Sequence, residues 1–184
     1  MVRTLLVMFG AFVGTMIDNF FAFAAQLGIT SRDAHRRLAI TQWLGVVTLV
    51  AASLAIGTVL AIFPLHVVAV LALAPLALAV HAWRNPGSTE QPTARGIVTT
   101  FAVTVALGGD NVAVWTPLLR SDAGVHRLVA VVTLLALDAL MVAGAHVLAG
   151  HPTAVALGKR VSGRLLPFLY VLLTVVILAE CGWW

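Results

Sequence analysis

Charged side chains are scarce in this sequence of 184 residues: Asp, Glu, Lys and Arg together make up 10% of it, and 61% of the residues are hydrophobic. Soluble domains carry about 25% charged and about 45–50% apolar residues, so a water-soluble fold is excluded. The small excess of basic residues then reports membrane orientation and does not indicate nucleic-acid binding. We expect an all-α integral membrane protein in the lipid bilayer of the plasma membrane.

Cysteine is nearly absent as well. Cys181 is the single cysteine, so an internal disulfide and a Cys-rich zinc or copper site are excluded. The six histidines are scattered over loop ends and span ends, a placement that favours an interfacial position over an array of metal ligands. The sequence contains no phosphate-binding loop, so we expect neither an enzyme nor a nucleotide-driven pump, and no resident cofactor. We expect Glu180, at the end of the last apolar run, to be solvated.

Six apolar segments have about the 20 residues that a helix needs to cross the hydrocarbon core. They cover residues 3–27, 38–63, 65–83, 96–119, 127–149 and 165–182. The polar segment between the third and the fourth divides the chain into two halves of three spans each. We therefore predict a first repeat at 1–84, a cytoplasmic linker at 85–95 and a second repeat at 96–184.

The basic residues of the loops are unevenly distributed between the two sides of the membrane. Three fall on one side, and eight fall on the other, namely Arg32, Arg36, Arg37, Arg84, Arg95, Lys159, Arg160 and Arg164. The positive-inside rule places the eight in the cytoplasm, and therefore both termini outside. Because each half has an odd number of spans, the second half enters the membrane in the reverse direction. This predicts a 3+3 inverted repeat, an architecture typical of secondary transporters.

The most informative feature is an Asp-Asn pair that occurs twice. Asp18-Asn19 and Asp110-Asn111 lie 92 residues apart, each within a long apolar stretch. At about 1.5 Å rise per residue, the two aspartates lie about 21–22 Å into their spans. Helices that run in opposite directions can bring the pairs together at the interface of the repeats, where transporter sites lie.

Carboxylates at this depth require a compensating partner. A charged Asp at the centre of a helix in lipid costs about 2.5–3.5 kcal/mol on insertion scales, and no Lys or Arg lies at that depth in the sequence. Carboxylate, amide and carbonyl oxygens suit hard to borderline cations. We therefore expect a cation or protons to balance Asp18 and Asp110, with Asn19 and Asn111 as neutral ligands. In the alternative interpretation, the pairs are uncharged and only hold helices together.

Glycines precede both pairs. Gly108 and Gly109 come directly before the second aspartate, and Gly14-Thr15 occupies the corresponding place before the first. Glycine weakens a helix, so this pattern predicts interrupted helices whose backbone carbonyls are available to an ion.

Three further polar residues lie within the predicted spans. Thr15 and Gln42 could complete a coordination shell, although a hydrogen bond within the core is the ordinary role of such residues. Asp138 lies in the middle of the fifth span and has no acidic counterpart in the first half. It is a third ligand, a proton carrier or an uncharged structural group.

The sequence around the second pair resembles a known family. Residues 108–117, GGDNVAVWTP, match the Gly-x-Asp-Asn-ϕ-x-ϕ-x-x-Pro signature of the CadD-type cadmium resistance transporters, which belong to the lysine-exporter superfamily. Residues 15–19 resemble the first motif of that family, with Met16 and Asn19 where the family usually has Asn and Asp. Residues 41–45 are similar to its Gly-Gln-aromatic-Leu-Gly element.

This resemblance implies efflux of a divalent metal ion such as cadmium, zinc or manganese, exchanged for protons, whereas the residues by themselves imply only cation binding. Two other hypotheses stay open. One is an amino-acid or small organic-cation exporter of the same superfamily, which needs a positive group in the pocket. The other is a membrane scaffold without transport. The oligomeric state is not determined by the sequence, and a homo-oligomer is compatible with it.

Overall fold

The computed structural model describes residues 1–84, 100–102, 104–105 and 108–182. Within these ranges all regular structure is helical. The helices are α1 Val2–Gly28, α2 Arg32–Val59, α3 Leu65–Val68, α4 Leu73–Arg84, α5 Gly109–Ser121, α6 Val125–Leu148 and α7 Pro152–Glu180. The prediction of an all-α protein is thus confirmed for the described residues, and the predicted linker at 85–95 lies outside them.

Five helical segments are long and apolar enough to cross a membrane, namely Val2–Gly28, Arg32–Ile62, Leu65–Arg84, Val125–Leu148 and Gly163–Glu180. They correspond to five of the six predicted spans. The predicted fourth span, 96–119, is only partly described, and α5 forms its second part. The six-span inverted repeat therefore stays a prediction.

Two helices begin well before the apolar segments that predicted them. Helix α2 begins at Arg32 and not at residue 38, and α7 begins at Pro152 and not at residue 165. Proline is favourable at the first position of a helix because that position has no intrahelical partner for an N–H. Hydropathy detects the part of a helix that lies in lipid, so polar helical turns beyond the membrane escape it.

The third span is not one regular helix. A 3-10 turn at Ala69–Ala72 separates α3 from α4. Pro75, the third residue of α4, has no N–H to donate to the preceding turn, which favours such an irregularity. Pro167 follows 92 residues later but lies inside the uninterrupted helix α7.

Helix α1 packs against α5, α6 and α7, while α2 packs against α5 and α6, and α4 against α7. The rings of Phe12 and Trp115 stack between α1 and α5 with centroids 6.4 Å apart. The two helices that carry the Asp-Asn pairs are therefore in direct contact. The core around them is formed by apolar side chains of six helices, among them Met8, Met16, Leu49, Ala79, Leu118, Leu134 and Ile177.

Contacts between helix termini distinguish the two ends of the bundle. At one end Arg3 donates two hydrogen bonds to Glu180, at 3.0 and 2.7 Å, and Arg127 donates to backbone carbonyls at the end of α5. At the other end Gly28 lies so close to Ala149 that a Cβ on Gly28 would be 3.1 Å from the Ala149 carbonyl oxygen. We call these the Arg3 end and the Gly28 end.

Candidate cation site

The two Asp-Asn pairs share one local arrangement. The backbone N–H of Asn19 donates to Oδ1 of Asp18 at 2.8 Å, and the backbone N–H of Asn111 donates to Oδ1 of Asp110 at the same distance. In each pair one carboxylate oxygen is thus held by the next backbone amide. The duplication seen in the sequence extends to hydrogen bonding.

The structure brings the two aspartates near each other. Asp18 on α1 and Asp110 on α5 are close enough to interact electrostatically. The hydroxyl of Tyr170 on α7 donates to Oδ2 of Asp110 at 3.1 Å, and Tyr170 also interacts electrostatically with Asp18. We call Asp18, Asp110 and Tyr170 the carboxylate site. It is built by three helices that are far apart in the sequence.

Tyr170 is a member of this site that the motifs do not predict. It is the only tyrosine of the chain, and it lies in an apolar helix 60 residues after the carboxylate it contacts. A buried tyrosine hydroxyl usually has a hydrogen-bond partner. A single tyrosine within an apolar span therefore indicates a polar group on a neighbouring helix.

The two asparagines differ in their surroundings. Nδ2 of Asn19 lies 3.5 Å from the sulfur of Met16, and Asn19 is half-buried. Asn111 is 0% exposed, and neither its Oδ1 nor its Nδ2 has a hydrogen-bond partner among the described residues. A buried amide without partners is costly, so Asn111 has unused capacity to bind a ligand.

Thr15 and Gln42 form hydrogen bonds within the protein. The Thr15 hydroxyl donates to the backbone carbonyl of Ala11 at 3.0 Å, which leaves its oxygen able to accept. Oε1 of Gln42 accepts from the Thr104 hydroxyl at 2.8 Å, and Nε2 of Gln42 has no partner in the described part of the chain. Gln42 thus contributes to the contact between α2 and the helical residues 104–105.

A polar contact between α1 and Thr100 is also not predicted by the motifs. Nε2 of Gln26 donates to the Thr100 hydroxyl at 2.7 Å. On α2, the absence of a side chain at Gly45 allows the helix to approach Thr104 closely, since a Cβ on Gly45 would lie 2.6 Å from Cγ2 of Thr104. Threonine hydroxyls and glutamine amides therefore connect the start of the fourth predicted span to both α1 and α2.

The predicted interruption of the first span is wrong, because α1 runs without a break from Val2 to Gly28. Gly14 serves packing instead: a Cβ there would lie 2.7 Å from Cδ1 of Leu173 on α7. In the second half, α5 begins at Gly109, directly before Asp110. A helix terminus is present there, as the glycines predict.

Gly108 and Gly109 have different roles at this terminus. Gly108 is buried, and a Cβ on it would overlap the side chain of Leu49. Its φ of −77° is open to any residue, so the requirement is for space and not for conformational freedom. A Cβ on Gly109 would meet nothing within 4 Å.

Asp138 lies on the buried face of α6, between Leu134 and Met141. It is 0% exposed, and neither of its carboxylate oxygens has a hydrogen-bond partner among the residues described. Within that part of the chain, Asp138 is therefore not hydrogen-bonded to the carboxylate site. A buried charge without a partner is strongly unfavourable, so a proton or a cation must accompany it.

A cavity of about 370 Å³ lies at the Arg3 end. Its polar lining includes Arg3, Asp122, His126 and Glu180. The side chain of Glu180 is half-buried, 16% exposed, and is paired with the exposed Arg3. The arginine that binds it is 177 positions away in the sequence, and local patterns carry no information about such a contact.

The sequence matches the model of a known protein family. A family model described as Cadmium resistance transporter matches residues 12–183. The match includes both Asp-Asn pairs, Asp138 and Tyr170, and it confirms the resemblance found in the motifs. No curated protein and no solved structure matches the sequence at a significant level.

Proposed function

The chain belongs to the cadmium resistance transporter family, and from this premise we propose that it exports a divalent cation, Cd²⁺, Zn²⁺ or Mn²⁺, from the cytoplasm in exchange for protons. The observation that carries the proposal is the meeting of three helices at Asp110, which accepts a hydrogen bond from Tyr170 and interacts electrostatically with Asp18. Two carboxylates in a bilayer need opposite charge, and one divalent ion supplies it. Resistance to a toxic ion requires transport outward.

The ligand chemistry supports a cation of this class. We assign the ion to Asp18 and Asp110, with Asn19 and Asn111 as neutral ligands and Tyr170 as a positioning residue that holds Oδ2 of Asp110. Asn111 is the stronger of the two neutral ligands in this assignment because its amide atoms are buried and unpartnered among the described residues. Oxygen-rich sites of this kind suit hard to borderline ions.

Thr15, Gln42, Gly108 and Gly109 have smaller parts in this proposal. The oxygen of Thr15 can still accept or coordinate, whereas Oε1 of Gln42 is engaged with Thr104. The glycines allow α5 to begin beside α2. They place the positive end of the α5 dipole at Asp110, where it favours the ionised carboxylate that binds the cation.

Proton exchange follows from charge balance. When the divalent ion leaves, two protons on the carboxylates restore neutrality, so exchange of one ion for two protons moves no net charge. We assign a separate proton-carrying role to Asp138, which is buried away from water. On this assignment, Asp138→Asn keeps metal binding but removes transport driven by a pH gradient. Loss of metal binding in that variant would make Asp138 a ligand.

The proposed architecture is the six-span 3+3 inverted repeat, with repeats at 1–84 and 96–184. Two contacts support a crossing within residues 100–121. Thr100 bonds to Gln26, near the Gly28 end, and the backbone at the end of α5 accepts from Arg127 at the Arg3 end. Arg3, at the start of the first helix, pairs with Glu180, at the end of the last helix. Both ends of the chain therefore lie on the same side of the membrane, which supports an even number of spans.

We propose that the Arg3 end faces the outside of the plasma membrane, since eight of the eleven basic residues belong to the other side. An epitope fused at residue 1 is then expected to bind antibody on intact cells. Binding only after permeabilisation would reverse the orientation.

The deciding experiment is metal uptake into vesicles that contain the purified protein, at a set pH gradient, with Cd²⁺, Zn²⁺, Mn²⁺ and Ca²⁺ compared. Asp18→Asn and Asp110→Asn are each expected to abolish uptake while the protein stays folded. Asp33→Asn is the matched control, because Asp33 is exposed in the first turn of α2. Uptake equal to wild type in the double variant, or uptake of lysine in place of metal, contradicts the proposal and favours a scaffold or an amino-acid exporter.

A further inference from the structure

Two histidines that are 111 residues apart in the sequence meet at the Gly28 end. His35 lies near the start of α2, and His146 lies in the last turn of α6. Their ring centroids are 5.5 Å apart, and the ring planes meet at 72°. Both residues are half-buried. The six histidines are scattered in the sequence, but these two are in contact in the fold.

Hydrogen bonds fix which nitrogen of each ring carries a proton. Nε2 of His35 lies 2.9 Å from the carbonyl oxygen of Leu27 and 3.1 Å from that of Thr30. Nδ1 of His146 lies 2.8 Å from the carbonyl oxygen of Val142. Carbonyl oxygens only accept, so these two nitrogens donate, and in neutral rings Nδ1 of His35 and Nε2 of His146 keep their lone pairs. Metal-binding histidines have this arrangement, with the second nitrogen donating to a carbonyl.

The spacing of the rings also fits a shared metal ion. Zn–N bonds of about 2.0–2.1 Å place a metal about 3.2 Å from the ring centroid, and tetrahedral geometry then puts two centroids about 5.2 Å apart. The observed separation is 5.5 Å. The separation of the ring centroids is therefore compatible with one ion bound by both rings.

We propose that His35 and His146 bind a divalent cation with affinity for imidazole, such as Cd²⁺ or Zn²⁺, at a second site separate from the carboxylate site. Half-burial leaves room for water at the remaining coordination positions. Arg36 and Arg37 follow His35, but both are exposed, so solvent and salt screen their charges. Binding at this site does not depend on transport. The Gly28 end is the cytoplasmic end in the proposed orientation, so a role of this site in loading the exported ion rests on the proposed function.

The test uses substitutions that keep the N–H donor and remove the metal-binding nitrogen. His35→Gln retains an amide in place of Nε2, and His146→Asn retains one in place of Nδ1. The controls are His126→Gln and His151→Asn, because these two histidines are exposed. All variants are made in the full chain with Asp18→Asn and Asp110→Asn, so that the carboxylate site does not contribute to metal binding.

Cd²⁺ binding is measured by equilibrium dialysis on the purified chain in detergent, with thermal unfolding as the check on folding. The parent variant is expected to bind one Cd²⁺ per chain, which Zn²⁺ displaces and Mg²⁺ does not. Adding His35→Gln and His146→Asn is expected to weaken binding at least about tenfold, and the controls are expected to leave it unchanged. Unchanged affinity in the His35→Gln, His146→Asn variant, or an equal loss in the controls, means that the rings only pack together and overturns the proposal. Because this binding is measured without the carboxylates, its failure is distinct from failure of the proposed transport.

Discussion

In the first half of the chain the Asp-Asn pair lies within one long helix, whereas in the second half the same pair lies in the first turn of a short one. Asp18 is the seventeenth residue of α1, and Asp110 is the second residue of α5. The hydrogen bond from the next backbone amide is the same in both. A duplicated motif has therefore been placed in two different helical settings.

Because of this difference, the two aspartates have different backbone groups around them. Around Asp18 the backbone N–H and carbonyl groups are used within the helix. At Asp110 the helix begins, so its first N–H groups lack intrahelical partners and its dipole favours negative charge there. Tyr170 contacts Asp110, and Asn111 is the more deeply buried asparagine. The second carboxylate therefore has a tyrosine hydrogen bond, a helix terminus and a fully buried neighbouring amide, in addition to the backbone hydrogen bond that both carboxylates share.

The strongest test of this asymmetry is at the glycines before Asp110. Gly108→Ala is expected to lower the free energy of unfolding by about 1–3 kcal/mol, because its Cβ would overlap the side chain of Leu49. Gly109→Ala is the control, with open space around the new methyl group. Thermal unfolding in detergent measures both, and the loss of stability caused by Gly108→Ala is expected to be smaller in a Leu49→Ala background than in the wild type. Equal stability of the two glycine variants would show that the start of α5 is not tightly packed against α2.

Asn111 and Asn19 provide a second comparison. Asn111→Leu removes a buried amide whose lack of partners costs about 1–3 kcal/mol, so stability is expected to stay constant or rise while Cd²⁺ uptake falls. Asn19→Leu, at a half-buried position, is expected to change both quantities less. Paired measurements of unfolding and uptake distinguish a ligand from a packing residue. A parallel loss of both at Asn111 would assign it to packing.

Tyr170→Phe tests the hydrogen bond that only the second aspartate receives. Loss of the hydroxyl is expected to reduce Cd²⁺ uptake about tenfold, which corresponds to about 1.4 kcal/mol, with the unfolding midpoint little changed. The effect is expected to act through the position of the Asp110 carboxylate, so Tyr170→Phe is expected to keep one bound Cd²⁺ per chain at lower affinity. Complete loss of the bound ion, as expected for Asp110→Asn, would make Tyr170 a ligand and not a positioning residue.

The smallest expected effect concerns the contact between the first and last helices. Arg3 is 74% exposed on its side chain, and exposed ion pairs contribute about 0.2–1 kcal/mol. Arg3→Gln is therefore expected to lower the unfolding midpoint only slightly, and less at high salt than at low salt. A large change that is independent of salt would mean that this contact holds the helices together.

The sequence predicts the helices and the repeated pair well, because apolar length and local motifs are properties of neighbouring residues. The interruption of α1 is predicted wrongly. Glycine costs a helix only about 1 kcal/mol, and the close packing of Gly14 against Leu173 compensates for it. The same residue type marks a real helix terminus at Gly108, and the two cases differ only in their surroundings.

The remaining features depend on contacts between distant residues. Three contacts each join two different helices, namely Tyr170 with Asp110, Arg3 with Glu180, and His35 with His146. Periodicity reports which face of a helix is apolar but not which neighbour it meets. These pairings therefore become visible only once the helices are packed.

The central claim is that one ion is shared by a carboxylate from each half. Its most direct test is the number of Cd²⁺ ions bound per chain in the His35→Gln, His146→Asn background, where only the carboxylate site remains. We predict one ion for this parent, and none for either Asp18→Asn or Asp110→Asn alone. One ion retained by each single variant, or two ions in the parent, would show that the aspartates act independently and would contradict the account.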